Sequence, residues 1–196
     1  MPKPHRRVSI VFDLEFTAWE GSLAGRWSRP GEKKEVVQIG AVKLRADDLK
    51  IADSFEMLVR PRLNRILSDY FSALTGITND AIESRGVDFL TAYRAFLEFT
   101  GDAEVWAFGR DDLVFKENLE LYGWARAFGI PPYHNVIPWF AAQGVDLTGK
   151  HASDVAEAAG APFEGRRHDA LADAHGVAAG ITKRVRDGAP NPFSAA

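Results

Sequence analysis

The 196-residue chain contains no cysteine and has no marked excess of either charge. Without cysteine there are no disulfide bonds and no thiolate zinc sites, so any metal ion must be held by oxygen or imidazole ligands. A net charge of -3 argues against a broad basic surface for sequence-independent binding of nucleic acid. A cluster of carboxylates that holds divalent cations would still present positive charge locally. No hydrophobic run approaches the length of a membrane span.

The chain also lacks internal repeats, low-complexity tracts and Pro/Gly/Ser-rich linkers. We therefore expect a single domain over residues 1–196, with a core from about residue 8 to 187 and a frayed tail over 188–196. The first seven residues, Met-Pro-Lys-Pro-His-Arg-Arg, are basic but lack the apolar stretch of a secretory signal. These features predict a cytoplasmic protein that does not associate with membranes.

Five segments have the composition of β-strands. Val8 to Phe12 is short, β-branched and apolar on both faces, which is typical of a buried central strand. Val36 to Leu44 and Ile51 to Val59 predict two further strands at hairpin distance, antiparallel to each other. Val105 to Phe108 predicts a fourth strand, and His134 to Ile137 a short fifth one.

Helices are predicted between and after these strands. Asp88 has the position of an N-cap for a helix with apolar residues at helical spacing, and a second helix is expected from about Asp112 to Trp124. Asp154-Val-Ala-Glu157 resembles a capping box that opens a short helix, and the last helix is expected from about Asp169. The order of elements predicts an α/β fold with helices on the faces of the sheet.

Asp13 and Glu15 follow the apolar run of the first strand. Side chains two apart on a strand share a face, and ligands of open α/β sheets gather at the carboxyl ends of the strands. The pair therefore either binds a cation or only marks where the strand leaves the core, and the pattern alone leaves both open. Asp102 and Glu104 show that the same spacing also occurs without an obvious purpose.

Asp111 and Asp112 follow the fourth predicted strand at the corresponding end of the sheet. One of the two is expected to cap the next helix. We assign that role to Asp111 and metal binding to Asp112, which fits better the motif described below.

His168 and Asp173 lie at the start of the last predicted helix. Asp173 borders the apolar stripe of this helix, and a carboxylate that faces a core needs a partner such as a metal. His168 is five residues earlier, about 140° around an ideal helix, so it reaches the same site only if it precedes the helix. A histidine there suits a general base, while the alternative is an exposed surface residue. His151 and His175 lack a supporting zinc spacing and are expected to be structural or exposed.

The loop after Glu15 is rich in aromatic and basic residues. Trp19 and Trp27 are accompanied there by Arg26, Arg29, Lys33 and Lys34. Such a loop either stacks on and steers a single strand of nucleic acid or is packed tryptophan beneath solvated charge, and both remain open.

With these residues set out, the chain resembles the DEDDh 3′-to-5′ exonucleases of the ribonuclease H-like superfamily from about Val8 to Val185. Phe12-Asp-Leu-Glu-Phe-Thr17 is similar to the first motif, whose acidic pair binds both metals, and Thr17 falls where the family often has a threonine near the terminal ribose. Trp106-Ala-Phe-Gly-Arg-Asp-Asp112 resembles the second motif, in which Gly-x-x-Asp would make Asp112 the ligand. His168-Asp-Ala-Leu-Ala-Asp173 resembles the third, with His168 as general base and Asp173 as ligand.

Within that family the chain is most similar to the branch of RNA-interference-suppressing and histone-mRNA exonucleases. The segments Trp19-Glu20, Glu35-Val-Val-Gln-Ile-Gly-Ala-Val42 and Leu74-Thr-Gly-Ile-Thr78 carry this likeness, which implies that Leu74 and Ile77 help to hold the terminal nucleotide. Phe16 departs from the pattern, since a small residue usually follows the glutamate. Nothing in the sequence resembles the separate RNA-binding module of this branch.

The resemblance implies a mixed five-stranded ribonuclease H-like sheet and a metal-dependent 3′-to-5′ exonuclease. Such an enzyme releases nucleoside 5′-monophosphates from RNA or short single strands with a free 3′ end. Asp13, Glu15, Asp112 and Asp173 would hold two Mg²⁺ or Mn²⁺ ions, which prefer oxygen ligands. The alternatives are a DNA-trimming or proofreading exonuclease and a non-catalytic adaptor with the same fold. The sequence leaves open the choice of RNA or DNA and the oligomeric state.

Overall fold

The computed structural model describes residues 7–194, and its centre is a mixed five-stranded sheet in the order β3-β2-β1-β4-β5. β1 pairs antiparallel with β2 and parallel with β4, so the first strand is central, as predicted. The five predicted strands are confirmed, although β1 extends further and includes both acidic residues. The strands are β1 Val8–Phe16, β2 Val36–Arg45, β3 Ile51–Leu58, β4 Val105–Ala107 and β5 Tyr133–Asn135.

Helices follow or connect these strands, and some of them were not expected. The α-helices are α1 Ser22–Gly25, α2 Asp69–Thr75, α3 Asn79–Arg85, α4 Phe89–Thr100, α5 Asp111–Leu121, α6 Val136–Ala142, α7 Val155–Ala158 and α8 Ala170–Arg186. Two 3-10 turns lie at Ala152–Asp154 and Pro192–Ser194. The predictions of α4, α5, α7 and α8 are confirmed, whereas α1, α2, α3 and α6 were missed. Ile137, expected in the fifth strand, belongs to α6.

The two faces of β1 are covered by different helices. Ile10, Phe12 and Leu14 point to one side and pack in a core with residues of α4 and α5. Val11 points to the other side, where it packs in a second core with residues of α8. Because Asp13 and Glu15 have the same parity as Val11, they face the α8 side. The predicted α/β sheet with helices on its faces is confirmed.

A glycine on β2 allows α8 to approach the sheet. Gly40 pairs with Asp13 across the β1–β2 ladder. A Cβ atom at position 40 would lie 2.1 Å from the backbone nitrogen of Leu171, so the first turn of α8 rests directly on the strand. This close contact brings the start of α8 beside the acidic residues of β1.

Two predicted caps have different outcomes. The Asp88 side chain accepts a hydrogen bond of 3.0 Å from the Thr91 N–H and caps α4, as predicted. The capping box predicted to open α7 with Asp154 is wrong, because this carboxylate does not cap that helix. It instead accepts a hydrogen bond of 2.9 Å from the His151 N–H.

The prediction of a frayed C-terminal tail is wrong for residues 188–194. Phe193 is buried and its ring packs 5.3 Å from that of Trp106, while the Asn191 amide donates a 2.7 Å hydrogen bond to the Ala46 carbonyl. Residues 1–6, which contain most of the basic N-terminus, and residues 195–196 lie outside the described residues. Within the described part of the chain, no helix combines the length and apolar character needed to cross a bilayer.

Candidate active site

A cavity of about 450 Å³ opens at the carboxyl end of β1. Four carboxylates line it, from β1, from the start of α5 and from the first turn of α8, and two histidines stand beside them. These residues are Asp13, Glu15, Asp111, Asp173, His151 and His168. The structure therefore brings together residues that are far apart in the sequence, as predicted for a site at this edge of the sheet.

Asp13 and Glu15 form the β1 part of the acidic group. Both are buried, with 7% and 8% of their surface exposed. Burial raises the pKa of Asp13 well above its ordinary value, and the negative charges of Asp111 and Asp173 raise it further. Burial also raises the pKa of Glu15, assisted by the same two neighbours. The cluster thus holds its carboxylates together against their mutual repulsion.

Asp111, and not Asp112, belongs to this cluster. Asp111 is buried and lines the cavity, whereas Asp112 forms a two-pronged hydrogen-bonded ion pair with Arg110 outside it. The prediction that Asp112 lies in the site and that Asp111 only caps the helix is therefore wrong, because Asp111 lines the cavity and Asp112 does not. Burial raises the pKa of Asp111 to about 8, although a hydrogen bond from the Leu14 backbone opposes that rise.

The sequence pattern of α5 indicates that Asp111, and not Asp112, faces the site. The buried residues of α5 are Asp111, Val114, Phe115, Asn118 and Leu119, which is one continuous helical stripe. Asp111 extends the stripe by one turn towards the sheet, while Asp112 lies about 100° away around the helix. Helical spacing alone would have selected Asp111.

His168 and Asp173 complete the group from α8. Asp173 is buried in the first turn, and His168 precedes the helix, as predicted from their spacing. Ligand atoms of Glu15, His168 and Asp173 all lie within 4.8 Å of one another. Burial raises the pKa of Asp173 to about 7 and, together with the nearby His151, lowers the pKa of His168.

Two of these carboxylates have an oxygen without a partner. Asp111 Oδ2 and Asp173 Oδ1 are buried and accept no hydrogen bond from the described residues. Glu35 shows the contrast, because this fully buried carboxylate accepts bonds from three backbone N–H groups, at positions 62–64, and from the Tyr122 hydroxyl. Buried charges are normally satisfied in that way. The orphaned oxygens of the cluster therefore fit ligands of a cation.

His151 is a residue of the site that the sequence reasoning missed. It was expected to be structural or exposed, and its side chain is indeed exposed, but it also lines the cavity. Its ring meets that of His168 edge to face, with centroids 5.4 Å apart. No spacing pattern signals this contact, because only the packing of the segment before α7 against the segment before α8 creates it.

Aromatic and aliphatic side chains form a second, apolar part of the cavity wall. Trp19 and Trp27 of the loop after β1 and Leu74 of α2 all line the cavity and are half-buried. Trp27 also packs against Phe16, at 5.5 Å between ring centroids, and donates a 2.8 Å hydrogen bond to the Thr17 carbonyl. The tryptophans are therefore packed, as one of the two alternatives predicts, and they also line the cavity.

Two predicted substrate residues do not line the cavity. The Thr17 side chain is buried, and its hydroxyl donates to the Lys33 carbonyl and accepts a 3.0 Å bond from the Glu35 N–H, so it is used to hold the loop. Ile77 is buried in a small apolar cluster with Leu67, Phe71 and neighbouring residues. Only Leu74 of the three predicted substrate contacts stands at the site.

The donor set is that of a site for hard divalent cations. Four carboxylates and two imidazoles line the same cavity, two carboxylate oxygens accept no hydrogen bond from the described residues, and thiolates are absent from the sequence. Mg²⁺ and Mn²⁺ prefer such oxygen ligands, and their charge would remove the repulsion that raises the carboxylate pKa values.

Comparison with known proteins gives a consistent result. The exonuclease family model RNase_T matches residues 10–179. Human 3′-5′ exoribonuclease 1 is 36% identical over 73 residues, which is 37% of this chain and 19% of the human protein. The Drosophila melanogaster 3′-5′ exonuclease Snipper is 25% identical over 208 residues, covering 92% of this chain and 70% of that protein. The matched part thus spans about a fifth of the human relative.

A solved structure shows the same fold. The nuclease domain of 3′hExo, described as a DEDDh family member and bound to rAMP, superposes with a TM-score of 0.76. The alignment covers 95% of this chain and 96% of that domain at 22% sequence identity. The likeness therefore extends over the whole sheet and its flanking helices.

Proposed function

The chain belongs to the exonuclease family, and from that membership and its buried carboxylate cluster we propose that it is a metal-dependent 3′-to-5′ exonuclease. It would hydrolyse the last phosphodiester of RNA or of a short single strand and release a nucleoside 5′-monophosphate. The observation that carries this proposal is the meeting of Asp13, Glu15, Asp111 and Asp173 in one cavity, where two buried carboxylate oxygens have no hydrogen-bond partner among the described residues.

Those four carboxylates would hold two Mg²⁺ or Mn²⁺ ions. The proposed set replaces Asp112 by Asp111, because the Asp112 carboxylate is already neutralised by Arg110. The bound ions would supply Lewis acidity at the phosphate and stabilise the charge on the departing 3′ oxygen. The carboxylates themselves would fix the ions at the end of β1, where the rigid sheet holds Asp13 and Glu15 in place.

His168 would act as the general base. Its imidazole stands before α8, with a ring nitrogen within 4.8 Å of carboxylate oxygens of Glu15 and Asp173. A neutral imidazole nitrogen at this place would accept the proton of the attacking water. This role for His168 does not require it to bind a metal.

The apolar wall would seat the terminal nucleotide. Leu74 and Trp19 offer an apolar surface in the cavity that the carboxylates also line. Aromatic faces accept any base by stacking, which suits an enzyme that removes successive nucleotides without regard to sequence. The structural neighbour is described as bound to rAMP, which supports a nucleotide as the class of ligand. A need for a free 3′ end follows if the wall closes the cavity on that side.

RNA is the proposed substrate because the human relative is named an exoribonuclease. DNA trimming is the alternative outcome, since the Drosophila relative is named only as an exonuclease. A non-catalytic adaptor is disfavoured, because an adaptor has no physical need to keep four repelling carboxylates in one cavity. A cytoplasmic location stays a prediction from the sequence.

The test is hydrolysis of RNA and DNA of one sequence, each labelled at the 5′ end, by the purified protein with Mg²⁺, Mn²⁺ or EDTA. We expect a ladder of products that shorten from the 3′ end, nucleoside 5′-monophosphates as the released product, and no reaction in EDTA. A protein without activity on either strand in both metals would refute the proposal.

A second arm addresses His168. The His168→Ala variant should lose most of its turnover while Mn²⁺ affinity, followed by calorimetry, changes little. Loss of metal binding in this variant would make His168 a ligand and contradict the assignment of the base.

A further inference from the structure

The short segment that carries His168 has an unusual backbone. Gly165 has a φ of 102°, and a Cβ atom there would lie 2.8 Å from the Cβ of Ala172 on α8. His168 itself has a φ of 59°, in the left-handed region that non-glycine residues seldom adopt. Such a conformation persists only where the surrounding contacts determine it. The His168 backbone donates a hydrogen bond to Asp173, and the contacts of the two residues before it also help to determine where the imidazole lies.

Arg166 connects this segment to α2. Its Nη2 donates hydrogen bonds of 3.0 Å to the Ala73 carbonyl and 3.3 Å to the Leu74 carbonyl. Both carbonyls belong to the last turn of α2, where carbonyl oxygens lack helical partners and the helix dipole favours a cation. The guanidinium also lies against Gly76, where a Cβ atom would be 2.8 Å from Nε. Arg166 thus caps α2 from the segment before α8.

The neighbouring Arg167 is attached elsewhere. Its guanidinium pairs with Asp154 and Glu157, which lie at the start of α7. These two residues do not line the cavity. The two arginines therefore hold the His168 segment from two different sides, and only Arg166 joins it to the element that carries Leu74.

We propose that Arg166 is a positioning residue that sets His168 relative to the substrate wall of α2. The inference depends on the proposed function, because it assigns His168 the role of base and Leu74 the role of nucleotide contact. α2 places Tyr70, Phe71 and Leu74 along the cavity, and Arg166 binds the end of the same helix. Arg166 would thereby fix the distance between the His168 imidazole and a nucleotide that binds against Leu74.

The kinetic test compares Arg166→Gln with Arg166→Lys and with Arg186→Gln, which removes the same charge at an exposed position of α8. Loss of alignment at a reacting centre costs about tenfold or more in rate, so Arg166→Gln should lower kcat by about that factor. KM should change by less than about twofold, since the apolar wall remains. Arg166→Lys should recover part of kcat, because an ammonium still donates to the α2 carbonyls, and Arg186→Gln should match the wild type.

A double variant separates positioning from a general structural role. In a His168→Ala background, Arg166→Gln should cause no further loss of kcat, because residues that act through one another are not additive. An equal loss in both backgrounds would show that Arg166 acts independently of His168 and would overturn the proposal. An unchanged kcat in the single variant would overturn it as well.

Hydrogen exchange supplies a readout that needs no activity. In metal-free protein, the amides of residues 165–169 should exchange faster in Arg166→Gln than in the wild type, while those of residues 174–181 in the body of α8 stay protected. If exchange over residues 165–169 were unchanged, the contact of Arg166 with α2 would not be what holds His168 in place, and the proposal would be refuted. If the wild type hydrolysed no strand, the proposed function would fail, and this measurement would still decide whether Arg166 holds the segment.

Discussion

At the scale of single residues, Asp111 and Asp112 are adjacent in the chain but have different surroundings. Asp111 is buried among the other carboxylates, and Asp112 is neutralised by Arg110. Asp111→Asn should therefore remove a metal ligand and lower the rate on the order of 10³-fold, equivalent to several kcal/mol of lost charge stabilisation. Asp112→Asn should change the rate by less than about threefold, since it removes only a partly exposed ion pair outside the cavity.

Single-turnover hydrolysis of an end-labelled strand measures both rates, and thermal melts verify that both variants are folded. Full activity of Asp111→Asn together with an inactive Asp112→Asn would show that the motif spacing, and not the helical stripe, identifies the ligand.

The same cluster makes the metal-free protein sensitive to pH. Burial raises the pKa of Asp111 to about 8 and that of Asp173 to about 7, whereas in an unfolded chain an aspartate loses its proton near pH 4. Between these values the folded state binds more protons than the unfolded state, so the free energy of unfolding falls as pH rises. In EDTA, the Tm of the wild type should thus decrease from pH 5 to pH 8.

Asp111→Asn removes one of the repelling charges and should lessen that decrease. Its Tm in EDTA at pH 8 should exceed that of the wild type by roughly 3 °C or more, with little difference at pH 5. Adding Mn²⁺ at pH 8 should raise the wild-type Tm. Calorimetric scans in the two conditions measure these shifts, and a wild-type Tm that rises with pH in EDTA would contradict this view of the cluster.

At the scale of secondary-structure elements, the contact of α8 with β2 determines where Asp173 lies. A methyl group at Gly40 would lie 2.1 Å from the Leu171 backbone nitrogen, and a backbone atom cannot move aside without moving the helix. Gly40→Ala should destabilise the fold by about 3 kcal/mol or more and lower Tm by roughly 6–12 °C. Nuclease activity should fall too, because α8 carries Asp173 and follows directly after His168.

Gly129→Ala is the matched control, because a Cβ atom at Gly129 would meet nothing within 4 Å. Its Tm should stay close to the wild-type value, as expected for an exposed substitution. A Gly40→Ala protein as stable and active as Gly129→Ala would show that α8 is not seated on β2 in this way.

Long, periodic elements could be predicted from the sequence, and short ones could not. β1 and α8 were predicted because an apolar run and a regular stripe each extend over several residues. α2 and α3 have only 7 residues each and little periodicity. Their N-caps Ser68 and Thr78 accept the expected bonds from Phe71 and Ala81. Such residues are equally common in turns, so the caps alone did not indicate helices.

The site was predictable to the extent that local patterns decide it. Strand parity placed Asp13 and Glu15 together, and helix geometry placed His168 before α8. Thr17 and Ile77 were wrongly predicted to contact the substrate, because a family motif gives a residue's position in the sequence and not the direction of its side chain. The Thr17 hydroxyl instead bonds to the backbone of Lys33 and Glu35. His151 was missed because its contact with His168 depends on tertiary packing.

At the scale of the whole molecule, one edge of the sheet carries a cavity that is lined by both the acidic cluster and the apolar wall. The chain has a net charge of -3, so under the proposed function bound cations in the cavity would supply much of the attraction for an anionic strand. Under the proposed function, the last phosphodiester of the strand would enter this cavity.

The most direct test of the account compares a circular single strand with a linear strand of the same sequence, each incubated with Mn²⁺ and either the wild type or Asp111→Asn. We predict that the wild type shortens the linear strand one nucleotide at a time from its 3′ end, that a bulky 3′ blocking group protects it, and that the circle survives. Asp111→Asn should leave both strands intact. Cleavage of the circle at a rate similar to that of the linear strand would contradict the account and make the protein an endonuclease.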